Sequence, residues 1–168
     1  MIPNAIVYTS KTGFTRQYAQ LLGRKWNLPV YSMEDAFSGL AQGSPVLYLG
    51  WIHASHVKGF SRAAKRFSLC GVCGVGLCDT GTMLAEVRRA TAIPEDIPLF
   101  TLQGGFDRGQ LKGMDKLLIG MLVKGLSSQK ERSDQDERML LLLQQDGSYV
   151  REENLADILA WYDSLEKS

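Results

Sequence analysis

The chain has 168 residues, of which 45% are hydrophobic and 22% charged, and its formal net charge is +1. This length and composition predict one globular domain over residues 1–168. The near-zero net charge excludes the basic footprint of a nucleic-acid-binding protein and a strongly acidic docking face. No apolar stretch reaches the roughly 18 residues of a membrane span, no signal-peptide pattern is present, and three cysteines fit a reducing compartment. We therefore expect a cytoplasmic protein.

Hydrophobic patterning predicts strands and helices in alternation over the first two thirds of the chain. The predicted strands cover residues 4–9, 29–33, 45–50, 69–78 and 97–103, and the predicted helices cover 15–26, 58–67 and 82–92, with a short helix or loop over 34–42. Such alternation with short connections indicates an α/β fold whose parallel sheet is covered on both faces. The last third is predicted to be helical, over residues 113–126, 139–143 and 151–165, with Ser133 as an N-cap candidate.

The connection between the first strand and the first helix is crowded with small hydrogen-bond donors. It reads Ser10-Lys11-Thr12-Gly13-Phe14-Thr15. In a parallel sheet it lies at the carboxyl edge, where ligands bind, and it leads into a helix N-terminus with unpaired N–H groups. Together these features predict a phosphate cradle. The alternative is a capped helix whose Ser and Thr side chains only satisfy its own N-terminus.

The pattern Ser-x-Thr-Gly-x-Thr at positions 10–15 resembles the phosphate loop of flavodoxins, which bind flavin mononucleotide (FMN). Ser10, Thr12, Gly13 and Thr15 match that pattern, whereas Phe14 stands where many flavodoxins have Asn. The resemblance implies a doubly wound five-stranded parallel sheet of order 2-1-3-4-5, with extra helices in the C-terminal third. It also implies that FMN binds noncovalently at the switch point between the first and third strands.

The resemblance also implies two further flavin-binding loops, over residues 50–56 and 76–81. The expected contacts from these loops are Trp51, Ile52, His53, Gly76, Cys78, Asp79 and Thr80. Trp51 is the one aromatic residue offered for stacking on the flavin ring, unless it is a core residue at a strand end. Backbone N–H groups between residues 76 and 80 are expected to bond the pyrimidine edge.

The segment PLFTLQGGFDRGQLKGMDKLLIGMLVKGLSS, residues 98–128, resembles bacterial menaquinone-dependent protoporphyrinogen oxidase, a flavodoxin-like family with an extra helix at this place. That oxidase is rich in Arg and Tyr on both sides of its flavin. The corresponding places here read Gly104-Gly105-Phe106-Asp107 and Ala54-Ser55. The resemblance is therefore specific for fold and flavin and weak for a porphyrinogen substrate.

Two other groups of residues have alternative readings. Cys70 and Cys73 have the spacing of a redox or metal pair, but on a strand they point to opposite faces, which favours structural burial. His53 and His56 could move a proton near a flavin or simply be exposed to solvent. No acidic residue or cysteine lies beside them, so we predict no metal site.

We expect an FMN-binding protein of electron transfer or oxidoreduction. The alternatives are a protoporphyrinogen oxidase-like, quinone-linked dehydrogenase and a flavin-free fold that acts as a partner-binding module. The expected partners are a redox protein, a quinone or a small-molecule electron acceptor, and no nucleic acid. Lys112, Lys116 and Lys124 make the helix over 113–126 basic and amphipathic. We favour core packing or a homodimer contact for it over membrane association.

Overall fold

A computed structural model of the chain describes residues 1–107, 109, 114–129, 133–144 and 146–167. The strands are β1 (Ala5–Thr9), β2 (Val30–Ser32), β3 (Pro45–His53), β4 (His56–Val57), β5 (Ser68–Gly76), β6 (Leu99–Gln103), β7 (Gly105–Phe106) and β8 (Gly147–Ser148). The central sheet is mostly parallel and has the order β2-β1-β3-β5-β6. Strand β4 pairs antiparallel with the end of β3, and β7 pairs with β8 in a separate small sheet.

The helices are α1 (Phe14–Trp26), α2 (Met33–Gly39), α3 (Phe60–Arg66), α4 (Leu84–Thr91), α5 (Met114–Ser128), α6 (Asp134–Gln144) and α7 (Ala156–Glu166). A 3-10 turn, Glu152–Leu155, leads into α7. The predicted α/β class and its mainly parallel sheet are confirmed. The predicted 15–26 and 113–126 helices correspond to α1 and α5, although Lys112 and Gly113 lie outside the described residues.

The strand count and numbering differ from the predicted five strands in order 2-1-3-4-5. The prediction ended the third strand at Gly50 and continued with a loop, whereas β3 runs on to His53 and turns back into β4. The two residues of the turn, Ala54 and Ser55, have φ angles of 48° and 62°. Two consecutive positive φ angles are the geometry of a tight hairpin, which usually carries Asn or Gly. Neither residue type is present at positions 54 and 55, so no residue there indicated a turn.

Two apolar clusters cover the two faces of the sheet. One contains Val7, Val46 and Tyr48 under α2, α3 and α4, which contribute residues such as Ala36, Phe60 and Val87. The other contains Ile6, Leu47, Leu49 and Cys73 under α1 and α7, which contribute Tyr18, Leu22 and Ile158. Because full burial of one large aliphatic side chain stabilises the fold by about 1.5–3 kcal/mol, these layers hold the sheet and its carboxyl edge in place.

Helices α5 and α6 pack on each other and form a third, smaller cluster. Its buried residues are Phe106 from β7, Leu126 from α5 and Leu143 from α6. Helix α6 begins with the predicted cap: the Ser133 Oγ accepts a hydrogen bond from the Asp136 N–H at 3.1 Å, and Asp136 Oδ2 accepts one from the Ser133 N–H at 3.3 Å. This reciprocal pair satisfies two N–H groups that a helix start leaves open.

No helix within the described ranges combines the length and the apolar character that crossing a bilayer requires.

Candidate functional site

The candidate site lies at the carboxyl edge of the sheet, beside the ends of β1 and β3. The chain leaves β1 for β2 on one side and then crosses to β3 on the other, so this edge is a topological switch point. A cavity of about 190 Å³ opens there. The predicted residues that line it are Lys11, Thr12, Phe14, Thr15, Trp51, Ile52, His53 and Gly76. The structure thus brings four residues of the first predicted loop and the three contacts expected from the second to one place.

The Ser10–Thr15 loop turns sharply into α1. Gly13 has a φ of 92° and open space where a side chain would begin, so backbone conformation rather than crowding requires glycine here. The Gly13 N–H donates to the Ser10 Oγ at 3.1 Å. Ser10 and Gly13 therefore shape the loop without lining the cavity. Thr15 is buried, with 2% of its surface exposed, and its neighbour Thr12 lines the cavity.

The start of α1 is electrostatically suited to an anion. No side chain caps this helix, and its first turn contains no acidic residue. Among the described residues, none bonds the N–H groups of Phe14, Thr15 and Arg16. Unpaired N–H groups and the positive end of the helix dipole both favour a negative charge at this position.

The predicted second loop is largely strand. Trp51 is half-buried near the end of β3, and its indole lines the cavity rather than the core. The Lys11 Nζ lies 5.0 Å from the centre of the Trp51 ring, and the His53 ring lies edge-on to it with 5.6 Å between the ring centres. Lys11 thus makes a cation–π contact with the Trp51 indole, and this ring forms an apolar part of the cavity wall.

The β3–β4 hairpin is tied to α4 behind it. The Ser55 Oγ bonds a carboxylate oxygen of Glu86. The Thr91 Oγ1 accepts a hydrogen bond from the Val57 N–H at 3.0 Å and donates one to the Ser55 carbonyl at 3.4 Å. These bonds hold the strained turn, and through it they hold Trp51 and His53 at the cavity.

The residues of the third predicted loop do not all line the same cavity. Cys78 and Asp79 line a second cavity of about 240 Å³, which meets the first across Ile52, Gly76 and Leu77. Thr80 lines neither cavity, because its Oγ1 accepts a hydrogen bond from the Gln103 N–H at 3.0 Å. The loop therefore reaches the first cavity through Gly76 and Leu77 alone.

The side chains of this third loop have no obvious catalytic chemistry. Burial, and then the charges of Asp79 and Glu86, raise the pKa of the Cys78 thiol. The thiol therefore stays protonated at neutral pH and is a poor nucleophile. The Asp79 carboxylate faces away to Arg138, whose guanidinium lies at 3.4 Å, and both side chains are exposed.

One wall of the cavity carries none of the expected contact residues, although the resemblance implied that Gly104–Phe106 lies beside the flavin and Leu77 falls in the third predicted loop. That wall consists of Val75, Leu77, Gly104, Gly105, Phe106 and Ile119. A Cβ atom on Gly105 would lie 2.7 Å from two atoms of the Phe14 ring, so this ring packs directly against the glycine backbone. The glycine pair after β6 was a visible signal of such a close approach. Ile119 comes from α5, and no local sequence pattern links it to Gly76 and Leu77 of the third loop, which line the same cavity.

The remaining candidates do not form a second site. Cys70 lies at a register shift in β5, while Cys73 is fully buried in the core, and both thiols are free. His53 and His56 face each other across the hairpin and are exposed. Within the described parts of the chain, no group of three or more His, Cys, Asp or Glu side chains is placed to hold a metal ion.

Comparison with protein-family models, curated proteins and solved structures finds no match to this chain. The chemistry of the site therefore follows from its own residues. N–H groups and hydroxyls stand at one end, and the aromatic rings of Phe14, Trp51 and Phe106 line the other walls. This arrangement suits a ligand that has an anionic group at one end and a flat apolar group at the other.

Proposed function

We propose that the protein has a flavodoxin-like fold, binds FMN noncovalently at this edge and takes part in electron transfer or oxidoreduction. The observation that carries the proposal is the uncapped start of α1 beside a cavity with aromatic walls. If the two-residue strand β4 is left aside, the five parallel strands follow one another in the order expected for such a fold. The cavity lies at the switch point of that order.

The phosphate of FMN is proposed to lie at the Ser10–Thr15 loop. The N–H groups of the first turn of α1 and the hydroxyl of Thr12 supply donors there. Lys11 and Arg16 add positive charge close to the same turn. Charge-assisted hydrogen bonds of this kind are stronger than neutral ones, so the phosphate is expected to contribute much of the affinity.

The flavin ring is proposed to enter the cavity between Trp51 on one side and the Gly104–Phe106 segment on the other. Thr12 and Thr15 line the end of the cavity that meets the loop, so the phosphate is proposed to lie at that end. When bound, FMN supplies one- and two-electron chemistry. The apolar walls, including Ile52 and Ile119, exclude water from the ring.

The partner is proposed to be a quinone or another small-molecule electron acceptor, rather than a large basic redox protein. Carriers that dock on basic partners use a strongly acidic surface, and the net charge here is +1. The protoporphyrinogen oxidase-like alternative would be one case of an enzyme that passes electrons to a quinone. The flavin-free alternative rests on Phe14 and on the lack of an aromatic residue in the third loop. The Phe14 ring lines the cavity and packs on Gly105.

The test is a titration of the purified protein with FMN and with riboflavin, followed by absorbance and by quenching of flavin fluorescence. Riboflavin lacks the phosphate and is the matched control ligand. The double variant Thr12→Val, Thr15→Val removes two hydroxyls from the loop without changing side-chain volume. We expect it to weaken FMN binding about 10- to 100-fold and riboflavin binding hardly at all, because one to two hydrogen bonds to a charged group are lost.

The unfolding midpoint of the double variant in urea shows whether the fold is intact. Binding of neither flavin by the wild-type protein would refute the proposed function. Equal weakening of both ligands in the double variant would place the phosphate elsewhere.

A further inference from the structure

A chain of hydrogen bonds runs from the C-terminal segment to the third loop. The Asn154 Nδ2 donates to the Tyr18 hydroxyl at 2.6 Å, and this hydroxyl donates to the Gln103 carbonyl at 2.6 Å. The Gln103 N–H donates to Thr80 at 3.0 Å. The Gln103 side chain then donates from its Nε2 to the Leu77 carbonyl at 3.2 Å. Gln103 is therefore held at its backbone on two sides, and its side chain reaches the loop.

The hydrogen bond from the Gln103 side chain to the Leu77 carbonyl controls the direction of the peptide group between Leu77 and Cys78. All peptide bonds in the described residues are trans, so the carbonyl of Leu77 and the N–H of Cys78 point in opposite directions. With the carbonyl held by Gln103, the Cys78 N–H is turned away from Gln103. Gln103 lines neither cavity, whereas Leu77 lines both. The Cys78 N–H therefore points away from Gln103, and Cys78 itself lines the second cavity, which shares Leu77 with the first.

The Cys78 N–H has no hydrogen-bond partner among the residues that the structure describes. Cys78 is half-buried, so a donor left open there is available to a ligand or to water. A bound molecule with an acceptor atom at its edge would satisfy it.

We propose that Gln103 is a positioning residue, which holds the Leu77–Cys78 peptide so that its N–H faces the edge of the bound flavin ring. The inference rests on the proposed function and adds a residue that no loop pattern in the sequence indicated. Without the Gln103 amide, the peptide is free to turn its carbonyl toward the cavity. A carbonyl there would repel the acceptor atoms of the ring and leave the N–H unused.

The test compares wild-type protein with Gln103→Met, which keeps the length of the side chain but removes its donor. Gln20→Met is the matched control, because Gln20 is also half-buried and lies on α1 away from both cavities. Dissociation constants are measured for FMN and riboflavin. We expect Gln103→Met to weaken both ligands by about 5- to 10-fold, the value of one hydrogen bond, and to leave their ratio unchanged. The double variant Thr12→Val, Thr15→Val, by contrast, is expected to change the ratio of the FMN and riboflavin dissociation constants.

A second variant, Gln103→Glu, gives a readout that a merely structural role would not produce. Its carboxylate cannot donate at pH 7.5, whereas the protonated acid can donate at low pH. The riboflavin affinity of this variant should therefore recover toward the wild-type value between pH 7.5 and 4.5. Riboflavin is the probe because it carries no phosphate that titrates in this range. Far-UV circular dichroism at each pH checks that the protein is folded.

Unchanged flavin affinity in Gln103→Met, or no recovery in Gln103→Glu at low pH, would overturn the inference while leaving the proposed function intact. If the Met variant does not fold, the Glu variant decides alone. A wild-type protein that binds neither FMN nor riboflavin would refute the proposed function and the inference together.

Discussion

At the scale of single residues, one glycine secures the base of the candidate site. Gly59 has a φ of 85°, and a Cβ atom there would overlap the Tyr48 hydroxyl and lie 2.6 Å from the Thr9 Oγ1. The Tyr48 hydroxyl lies 2.8 Å from the Thr9 Oγ1 and donates to the Lys58 carbonyl at 2.6 Å. This contact joins the end of β1 to the segment after the hairpin, so it aligns the first two loops of the site.

Gly59→Ala should therefore be costly. A left-handed backbone costs an alanine about 1–2 kcal/mol, and displacement of the Tyr48 hydroxyl brings the expected loss to about 2–4 kcal/mol of unfolding free energy. Gly43→Ala is the matched control, because Gly43 has a φ of 79° and nothing within 4 Å of its added Cβ. Its expected loss is only about 1–2 kcal/mol. Urea unfolding measures both, and equal losses would contradict the role of the Tyr48 contact.

Residue types indicated part of the cavity lining and left part of it out. Ser10, Thr12 and Gly13 were singled out because small donors and a glycine at a strand end suit a phosphate cradle as well as a helix start, and of these three Thr12 lines the cavity. Phe14 looked like a departure from a polar loop. Its role depends on Gly105, a residue 91 positions away whose backbone it covers. A side chain's partner across such a separation leaves no trace in local spacing.

At the scale of elements, α5 and α6 form a unit that is separate from the two main cores. Their cluster contains Leu126, Leu143 and Phe106, whereas the sheet is held by the clusters on its two faces. Ile119 of α5 also lines the first cavity. The helical pair therefore borders the site through a cluster of its own, apart from the two clusters that cover the sheet.

Leu143→Ala should loosen this pair and leave the sheet folded. Leu143 is 1% exposed, and its truncation in a packed cluster is expected to cost about 2–4 kcal/mol locally. Leu141→Ala is the matched control on the same helix, since Leu141 is 56% exposed. Hydrogen exchange should show faster amide exchange in α5 and α6 only, and affinity for the proposed flavin should fall because Ile119 is displaced. Equal loss of protection in β1 and β3 would show that the helical pair is part of the main folding unit.

The β3–β4 hairpin shows where prediction of elements failed. Apolar runs in the sequence predicted the buried strands β1 and β5, and apolar residues at helical spacing predicted α1. The turn at Ala54 and Ser55 has a backbone that those residue types disfavour. It is held by Glu86 and Thr91, which come from a helix 30 residues later. Tertiary bonds thus selected a turn against local preference.

At the scale of the whole molecule, two weakly acidic groups, a tyrosine phenol and a cysteine thiol, are buried in the core. Tyr48 and Cys73 have no exposed surface. Burial raises the pKa of both the Tyr48 phenol and the Cys73 thiol well above their ordinary values. In the unfolded chain the thiol titrates near pH 8.5 and the phenol near pH 10.

The free energy of unfolding should therefore fall as the pH rises above about 8.5, and more steeply above about 10. Below these values both states keep their protons, so the full stability is present. Above them the unfolded state releases protons that the native state retains, which favours unfolding by up to about 1.4 kcal/mol per pH unit for each group. Urea unfolding at several values between pH 7 and 10.5 measures this profile.

Cys73→Ala tests the origin of the first part of the profile. The variant should be less stable at pH 7, because a small cavity is left in the core. Its loss of stability between pH 8.5 and 10 should nevertheless be smaller than that of the wild-type protein. Parallel profiles for the two proteins would mean that another group causes the decline.

The sequence by itself determined the α/β class, the main helices and strands, and the loop at the end of the first strand. These features depend on periodicity, apolar runs and turn residues, which act between neighbours in the chain. Only the tertiary structure decided the β3–β4 hairpin, the wall formed by Gly104–Phe106 and Ile119, and the direction of the Leu77–Cys78 peptide. Each depends on contacts between distant segments, because a residue's partner across the fold is chosen by packing and hydrogen bonding and not by its neighbours in sequence.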